Sequence, residues 1–189
     1  MVEVLAQPPP DLSRVVVLGC SGSGKSTLAH ALAQKLDAPW VQLDALYWGP
    51  NWQPRPQREF LESVAAAVSA PQWVVDGNYR QTREIVWPRA TALVWLNFGF
   101  ARVFARSFRR TMRRAARREV IFSGNRESFW RTFTSRESIL WWVVTSYRRR
   151  RAEFSALKGS DRYPNVEWVE LRRNGEVRRF LDSAVRRSG

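Results

Sequence analysis

Gly19-Cys20-Ser21-Gly22-Ser23-Gly24-Lys25-Ser26-Thr27 is the stretch that decides the fold of this chain. It matches the spacing G-x-x-x-x-G-K-[ST] at every fixed position. The apolar run at residues 15–18 before it predicts a buried parallel strand. Leu28, Leu32 and Leu36 after it lie on one stripe and predict a helix. A strand, a glycine-rich loop and a helix in this order predict a phosphate-binding loop.

The residue types in this stretch suit a polyphosphate. Glycines adopt backbone conformations that are closed to other residues and let phosphate oxygens come close. Successive backbone N–H groups can then form an anion-binding nest, to which the N-terminus of the following helix adds partial positive charge. We expect Lys25 to reach the β- and γ-phosphates of a nucleoside triphosphate and the hydroxyl of Ser26 to ligate Mg²⁺. ATP and Mg²⁺ are therefore the expected cofactors.

The composition indicates one globular domain over residues 1–189, with residues 1–13 as a loose leader. Cys20 is the only cysteine, and the sequence has neither a signal-peptide pattern nor an apolar run long enough for a membrane span. These features predict a cytoplasmic protein. The net charge of +14 comes almost entirely from arginine and suits an anionic partner, without choosing between a nucleotide, a nucleic acid and an acidic lipid.

Apolar runs alternate with helical patterns along the chain, which predicts an α/β fold of three layers around a five-stranded parallel sheet. The predicted strands are residues 15–18, 40–43, 73–75, 92–96 and 166–171. The predicted helices are residues 26–36, 57–69, 101–118, 137–153 and 175–185. Because ligands bind at the carboxyl ends of parallel strands, the residues that follow the strands are the ones expected at the site.

Two carboxylates, Asp44 and Asp76, each follow a predicted strand. A carboxylate at that place can hold Mg²⁺ or accept the proton of a substrate hydroxyl. The sequence does not decide which of the two does which, and each could instead cap the turn after its strand. Asn97, after the fourth strand, is expected at the same edge of the sheet.

Aromatic and polar side chains near these acids are candidates for binding an acceptor substrate. They are Tyr47, Trp48 and Trp52 in a loop dense in aromatic residues and proline, and Asn78 and Tyr79 directly after Gly77. Aromatic faces with polar tips suit a flat or ring-bearing substrate. The loop could equally be a hydrophobic plug over the edge of the sheet.

Arginines recur every three or four residues after the fourth strand, among them Arg102, Arg106 and Arg110. On a helix they would lie on neighbouring faces. They predict a lid, at about residues 101–135, that closes guanidinium groups on a transferring phosphoryl group, with Arg106 and Arg110 as catalytic candidates. A solvated helix or a nucleic-acid-binding face are the alternatives. Cys20, inside the loop, could be a reactive thiolate or simply a small residue that fits.

These residues resemble the P-loop kinases of the adenylate-kinase-like group, most closely the family called DNA topology modulation proteins. The resemblance covers nearly the whole chain from Arg14. It rests on Gly19–Thr27, on Leu43-Asp44 with Tyr47-Trp48 and Asn51-Trp52, on Trp73-Val74-Val75-Asp76-Gly77-Asn78-Tyr79, and on Arg102 to Arg110. It implies a P-loop NTPase fold with an Arg-rich helical lid. Asn97 stands where that family usually has aspartate.

The function that these observations favour is transfer of the γ-phosphoryl group of ATP·Mg²⁺ to a small-molecule acceptor, in which a nucleotide is included. A nucleic-acid-binding protein with a regulatory nucleotide site is the less favoured alternative. A switch GTPase is disfavoured, because Lys158 is followed by Gly159-Ser160-Asp161 rather than by a guanine-reading motif. The sequence leaves open the acceptor, the lid arginines that contact phosphate and the oligomeric state.

Overall fold

The computed structural model describes residues 10–117 and 139–184. The described residues form one five-stranded, all-parallel sheet in the order β2-β3-β1-β4-β5. The strands are β1 (Arg14–Gly19), β2 (Trp40–Gln42), β3 (Trp73–Asp76), β4 (Ala92–Leu96) and β5 (Glu167–Leu171). The predicted parallel sheet of five strands is therefore confirmed.

The α-helices of the described residues are α1 (Lys25–Leu36), α2 (Leu43–Tyr47), α3 (Gln57–Ala67), α4 (Arg83–Val86), α5 (Phe100–Arg117), α6 (Ile139–Lys158) and α7 (Asn174–Ser183). Short 3₁₀ turns lie at Pro50–Trp52, Arg80–Thr82 and Trp87–Arg89. Within these described segments, no helix is both long and apolar enough to cross a membrane.

The sheet is buried on both faces, which makes the fold three-layered. Successive residues of β1 alternate between two core clusters: Val15 and Val17 face one, and Val16 and Leu18 face the other. Helices α1 and α7 and the start of α5 cover the first face, and α3 and α4 cover the second. Helix α6 contributes to both, with Tyr147 in the first cluster and Phe154 in the second. This double cover is why β1 reads as an uninterrupted apolar run.

Several boundaries differ from the sequence-based expectation. Helix α6 continues to Lys158 instead of ending at residue 153, and most other ends shift by one or two residues. The second strand ends at Gln42, and Leu43 and Asp44 begin helix α2 instead of closing the strand. Leu12, placed in the expected loose leader, is buried in the core cluster that also contains Val15. The part of the expected lid beyond Arg117 lies outside the described residues.

The carboxyl ends of the strands meet at one edge, as expected for parallel pairing. Val17 of β1 is in register with Asp76 of β3, and Gln42 of β2 is also in register with Asp76. Gly19 therefore opens the phosphate loop just beyond Asp76, while the residues after β2 lie on the other side of it. The edge brings the loop and both carboxylates together.

Candidate active site

The loop between β1 and α1 has the backbone that its glycines were expected to supply. Gly19, Gly22 and Gly24 have φ angles of 151°, 82° and 96°, a region that favours glycine. Gly24 is the N-cap of α1, and Lys25 is the first residue of the helix. The positive end of α1 thus lies directly at the loop, which suits an anion.

Lys25 lies at the centre of the site. Its Nζ donates a hydrogen bond to the carbonyl oxygen of Cys20 at 3.2 Å. Burial lowers the pKa of Lys25, and the nearby carboxylates of Asp76 and Asp44 act in the opposite direction. The ammonium group is therefore poorly solvated and close to both candidate acids. This position suits a cation that binds a phosphate group.

Asp76 is the acid nearest the loop. It is 8% exposed, and its carboxylate accepts a hydrogen bond from the hydroxyl of Ser26. Burial raises the pKa of Asp76, while Lys25 and the Ser26 hydroxyl oppose that rise. A carboxylate and a hydroxyl side by side are hard oxygen donors, the ligand type that Mg²⁺ prefers. The pair fits a magnesium ion held at the predicted residues Ser26 and Asp76.

Asp44 lies on the exposed first turn of α2 and belongs to a different part of the site. Its Oδ1 accepts a hydrogen bond from the Tyr79 hydroxyl at 2.7 Å. Burial and the negative charge of Asp44 raise the pKa of Tyr79, so the phenol stays a donor. The carboxylate of Asp44 is thereby oriented but keeps acceptor capacity. Close approach of Leu43 to Gly77, whose φ is 135°, brings these two segments together.

Helix α5 packs directly on the phosphate loop, and its two candidate arginines differ. Arg110 Nη2 donates to Ser21 Oγ at 3.0 Å, and Arg110 is close enough to Lys25 and Asp76 to affect the pKa of each. Arg106 instead donates to the Ser23 carbonyl oxygen and to Asn174 Oδ1, at 3.1 and 2.9 Å. Arg110 therefore faces the centre of the site, and Arg106 faces its outer side.

The aromatic loop forms one cluster beside Asp44. The ring of Tyr47 lies 5.2 Å from Phe60 and 4.7 Å from Tyr79 between centroids, and Trp48 lies edge-on to Trp52 at 5.6 Å. Tyr47 and Tyr79 also pack against the buried core beneath. Both interpretations of the loop, an acceptor-binding wall and an apolar plug, agree with this packing.

Burial contradicts the thiolate interpretation of Cys20. The residue is 7% exposed, and burial raises the pKa of its thiol although Lys25 and Arg150 act in the opposite direction. Asn97 belongs to a different cluster from the candidate acids Asp44 and Asp76. Its Nδ2 donates to Glu170 Oε1 at 2.7 Å, inside a cluster that includes Lys158 and Arg172.

Sequence reasoning missed the contribution of α6 and α4. Arg150 of α6 lies within hydrogen-bonding reach of the Asn78 carbonyl oxygen, at 3.5 Å, and its charge also acts on Cys20 of the phosphate loop. Arg83 of α4 is 8% exposed and pairs with Glu153 at 2.9 Å. The run Arg148 to Arg151 looked like a solvated helix end, and no local signal in the sequence distinguishes Arg150 from its neighbours in that run.

Comparisons with known proteins bear on the fold. Neither a scan with protein-family models nor a search of curated proteins gave a match. Among solved structures, the chain is similar to a shikimate kinase from Bacteroides thetaiotaomicron, with 15% identity and a TM-score of 0.51 over 89% of this chain and 94% of that chain. A shikimate kinase from Acinetobacter baumannii in complex with shikimate gives 12% identity and a TM-score of 0.51, over 92% and 90% of the two chains.

A gluconokinase from Sinorhizobium meliloti 1021 has 17% identity and a TM-score of 0.49, over 90% and 92% of the two chains. At such identities a structural likeness establishes the fold alone. The chain therefore has the α/β fold of P-loop kinases, as its phosphate-loop stretch predicts.

Proposed function

We propose that this protein transfers the γ-phosphoryl group of ATP to a hydroxyl-bearing small molecule. The observation that carries the proposal is the convergence of Lys25, Asp76 and Arg110 at the phosphate loop, with Asp44 across from them. Two cations, a buried carboxylate and a glycine-rich loop at the N-terminus of a helix are the parts that phosphoryl transfer needs. The shikimate kinases with the same fold support this interpretation.

On the nucleotide side, the chain supplies positive charge. The loop amides and the N-terminus of α1 hold the β- and γ-phosphates, and Lys25 reaches both. Arg110, reaching over the loop from α5, neutralises charge on the group in transit. Ser26 and Asp76 would hold Mg²⁺, which when bound screens the charge of the phosphate oxygens. This assigns the metal role to Asp76, whose carboxylate already lies beside the Ser26 hydroxyl.

On the acceptor side, Asp44 is the proton acceptor. The Tyr79 hydroxyl fixes one carboxylate oxygen of Asp44, and the other accepts the proton of the attacking hydroxyl. That hydroxyl oxygen forms a bond to the γ-phosphorus as the bond to the β–γ bridging oxygen breaks, and ADP leaves. Tyr47, Trp48, Trp52 and Asn78 form the wall against which the acceptor packs.

The test is product analysis by mass spectrometry after incubation with ATP, Mg²⁺ and a panel of sugars, hydroxy acids and nucleosides with their monophosphates. We expect one class of hydroxyl compound to gain a phosphoryl group in step with ADP formation. Asp44→Asn, which keeps the shape but removes the proton acceptor, should lower that turnover about 100-fold or more.

Asp161→Asn, an exposed carboxylate away from the site, is the matched control and should retain full turnover. A wild-type protein that binds ATP but phosphorylates no member of the panel, or an Asp44→Asn variant with unchanged turnover, would count against the proposal.

The closer resemblance to DNA topology modulation proteins, the single-domain organisation and the cytoplasmic location stay predictions.

A further inference from the structure

A network of side chains joins the segment after β3 to helix α6. The side-chain oxygen of Asn78 accepts hydrogen bonds from Nε and Nη2 of Arg83, at 3.2 and 3.1 Å. The Nη1 of Arg83 pairs with Glu153 Oε1 at 2.9 Å, and Arg80 Nε donates to the same oxygen at 2.9 Å. Residues about 70 positions apart in the chain are thereby locked together.

The hydrogen bonds from Arg83 fix the orientation of the Asn78 amide. Arg83 has only donors, so the amide oxygen must face it and the NH₂ group must point away. That NH₂ group is buried and has no hydrogen-bond partner among the residues that the structure describes. A buried donor left without an acceptor is costly, and such groups call for an explanation. A ligand that brings an oxygen acceptor would provide one.

The rigidity of the network comes from the surroundings of Arg83. Its guanidinium lies over the ring of Trp87 at 4.9 Å and near the ring of Phe154 at 5.9 Å. Stacking on aromatic faces suits the planar guanidinium and leaves its edge for hydrogen bonds. Arg83 itself is nearly closed to solvent, so its role is to hold Asn78 and Glu153 in place rather than to meet a ligand.

Arg150 is the cation that this network holds at the site. Its Nη1 lies 3.5 Å from the carbonyl oxygen of Asn78. Arg150 precedes Glu153 by about one turn, so both residues lie on the same face of α6. Arg150 is partly exposed and close enough to the phosphate loop to act on Cys20. Tyr79, the next residue after Asn78, holds Asp44. Arg150 is therefore close both to the phosphate loop and to the segment that orients Asp44.

The cluster is rich in guanidinium groups. Arg80 and Arg83 share Glu153 at 2.9 Å each, and Arg150 precedes Glu153 by three residues on the same helix. The partly desolvated guanidinium of Arg150, beside a buried amide donor that has no partner among the described residues, favours an anionic oxygen group over a neutral hydroxyl.

We propose that Arg150, positioned by the Asn78–Arg83–Glu153 network, binds an anionic oxygen group, a carboxylate or a phosphate, on the phosphoryl acceptor. The substrate class is then a hydroxylated anion, with its hydroxyl at Asp44 and its charged group at Arg150 and the Asn78 amide. This inference rests on the proposed function, because it assigns the acceptor of that same reaction. It excludes neutral sugars and polyols as good substrates.

The experiment separates the two sides of the site. The protein is first saturated with the ATP analogue AMP-PNP and Mg²⁺, and the loaded protein is then titrated by calorimetry with inorganic phosphate or with acetate as probes. We expect saturable binding of at least one probe, phosphate for an acceptor phosphate group and acetate for a carboxylate. Arg150→Gln should weaken that binding about tenfold to a hundredfold.

The positioning role has its own readout. Arg83→Gln should weaken probe binding, Arg83→Lys should restore part of it by keeping one donor, and both should leave AMP-PNP affinity unchanged. The matched control is Arg148→Gln, which removes an exposed arginine of the same helix and should bind the probe like wild type. A purely structural role for Arg83 would instead lower the unfolding temperature without this split.

Three results would overturn the inference: no saturable binding of either probe by the loaded protein, equal binding by Arg150→Gln, or an Arg150→Gln variant that loses AMP-PNP affinity alone. The last result would assign Arg150 to the nucleotide's own phosphates. The preceding titration with AMP-PNP reports on the proposed function separately, because failure of that step concerns the nucleotide site and not the acceptor.

Discussion

Gly22 shows how one residue joins the phosphate loop to helix α5. A β-carbon at this position would lie 2.8 Å from Ser107 Cβ and 2.8 Å from the Val103 carbonyl oxygen, and its φ of 82° is unfavourable for any other residue. The position therefore lacks space for a side chain and also requires a glycine backbone. The helix that carries Arg106 and Arg110 can approach the loop only because this residue is glycine.

We expect Gly22→Ala to destabilise the fold by at least ~1 kcal/mol and to weaken nucleotide binding, since α5 must withdraw from the loop. Urea unfolding and an AMP-PNP titration measure the two effects. Gly175→Ala is the matched control, because it lies inside helix α7 and a methyl group added there would meet no heavy atom within 4 Å. That change should be neutral or stabilise by ~0.5–1 kcal/mol. Equal effects of the two substitutions would contradict the packing argument.

Single residues were predictable from the sequence where local chemistry fixes them. Lys25 and Ser26 follow from the spacing of the loop, and Asp76 follows from its place at the end of an apolar strand. Arg150 and Arg83 were missed, because their roles depend on contacts between segments about 70 residues apart. No local pattern reports such a contact, and an arginine in a basic run looks the same whether it is paired or solvated.

At the scale of elements, α5 presents different faces to the loop and to solvent. Arg110 contacts Ser21 of the loop, whereas the adjacent Arg109 is exposed. We expect Arg110→Gln to lower kcat about 10²–10³-fold, because it removes a cation next to the group in transit. Arg109→Gln should retain near wild-type turnover. Steady-state kinetics on both variants decides, and a similar loss in both would mean that α5 acts through its net charge instead.

The end of β4 is held to β5 and α6 by Glu170. Burial opposes ionisation of this carboxyl, but hydrogen bonds from Arg172, Asn97 and Lys158 outweigh it and lower the pKa of Glu170 to about 2. A carboxyl whose pKa is depressed on folding contributes stability above its ordinary pKa of 4.5, and the contribution is lost as the pH falls towards 2.

We therefore expect Glu170→Gln to be less stable than wild type at pH 6, with a difference that shrinks between pH 4.5 and pH 2. Urea unfolding at several pH values measures it. Glu62→Gln breaks the exposed Arg58–Glu62 pair and should cause almost no change at any pH. A Glu170→Gln difference that stays constant on acidification would show that the shape of the side chain matters rather than its charge.

The elements themselves were largely predictable, and the exceptions have a physical cause. The alternation of apolar runs and helical stripes located all five strands of the described sheet. Residue 44 was expected at a strand end but lies in α2, because Leu43 turns into the core beside Gly77. The sequence around it is apolar enough to suit either a strand or a short buried helix, and tertiary packing decides between them.

For the whole molecule, the fold gives a simple account of the unusual charge. A net charge of +14 raises the local concentration of anions, and the structure places the guanidinium groups of Arg110 and Arg150 beside the phosphate loop and the segment after β3. Exposed arginines such as Arg109 add to the long-range field without touching the site. The sequence alone gives the total charge, but it does not show which arginines lie at the site and which are exposed.

The central claim is that the amides of the phosphate loop and the ammonium group of Lys25 bind a nucleoside triphosphate. Isothermal titration of the folded protein with AMP-PNP and Mg²⁺ tests it most directly. We expect saturable binding with one site per chain, weakened about 100-fold or more in Lys25→Ala and unchanged in the exposed-lysine control Lys35→Ala. Folded wild-type protein that takes up no AMP-PNP, or a Lys25→Ala variant that binds it as tightly as wild type, would contradict the account.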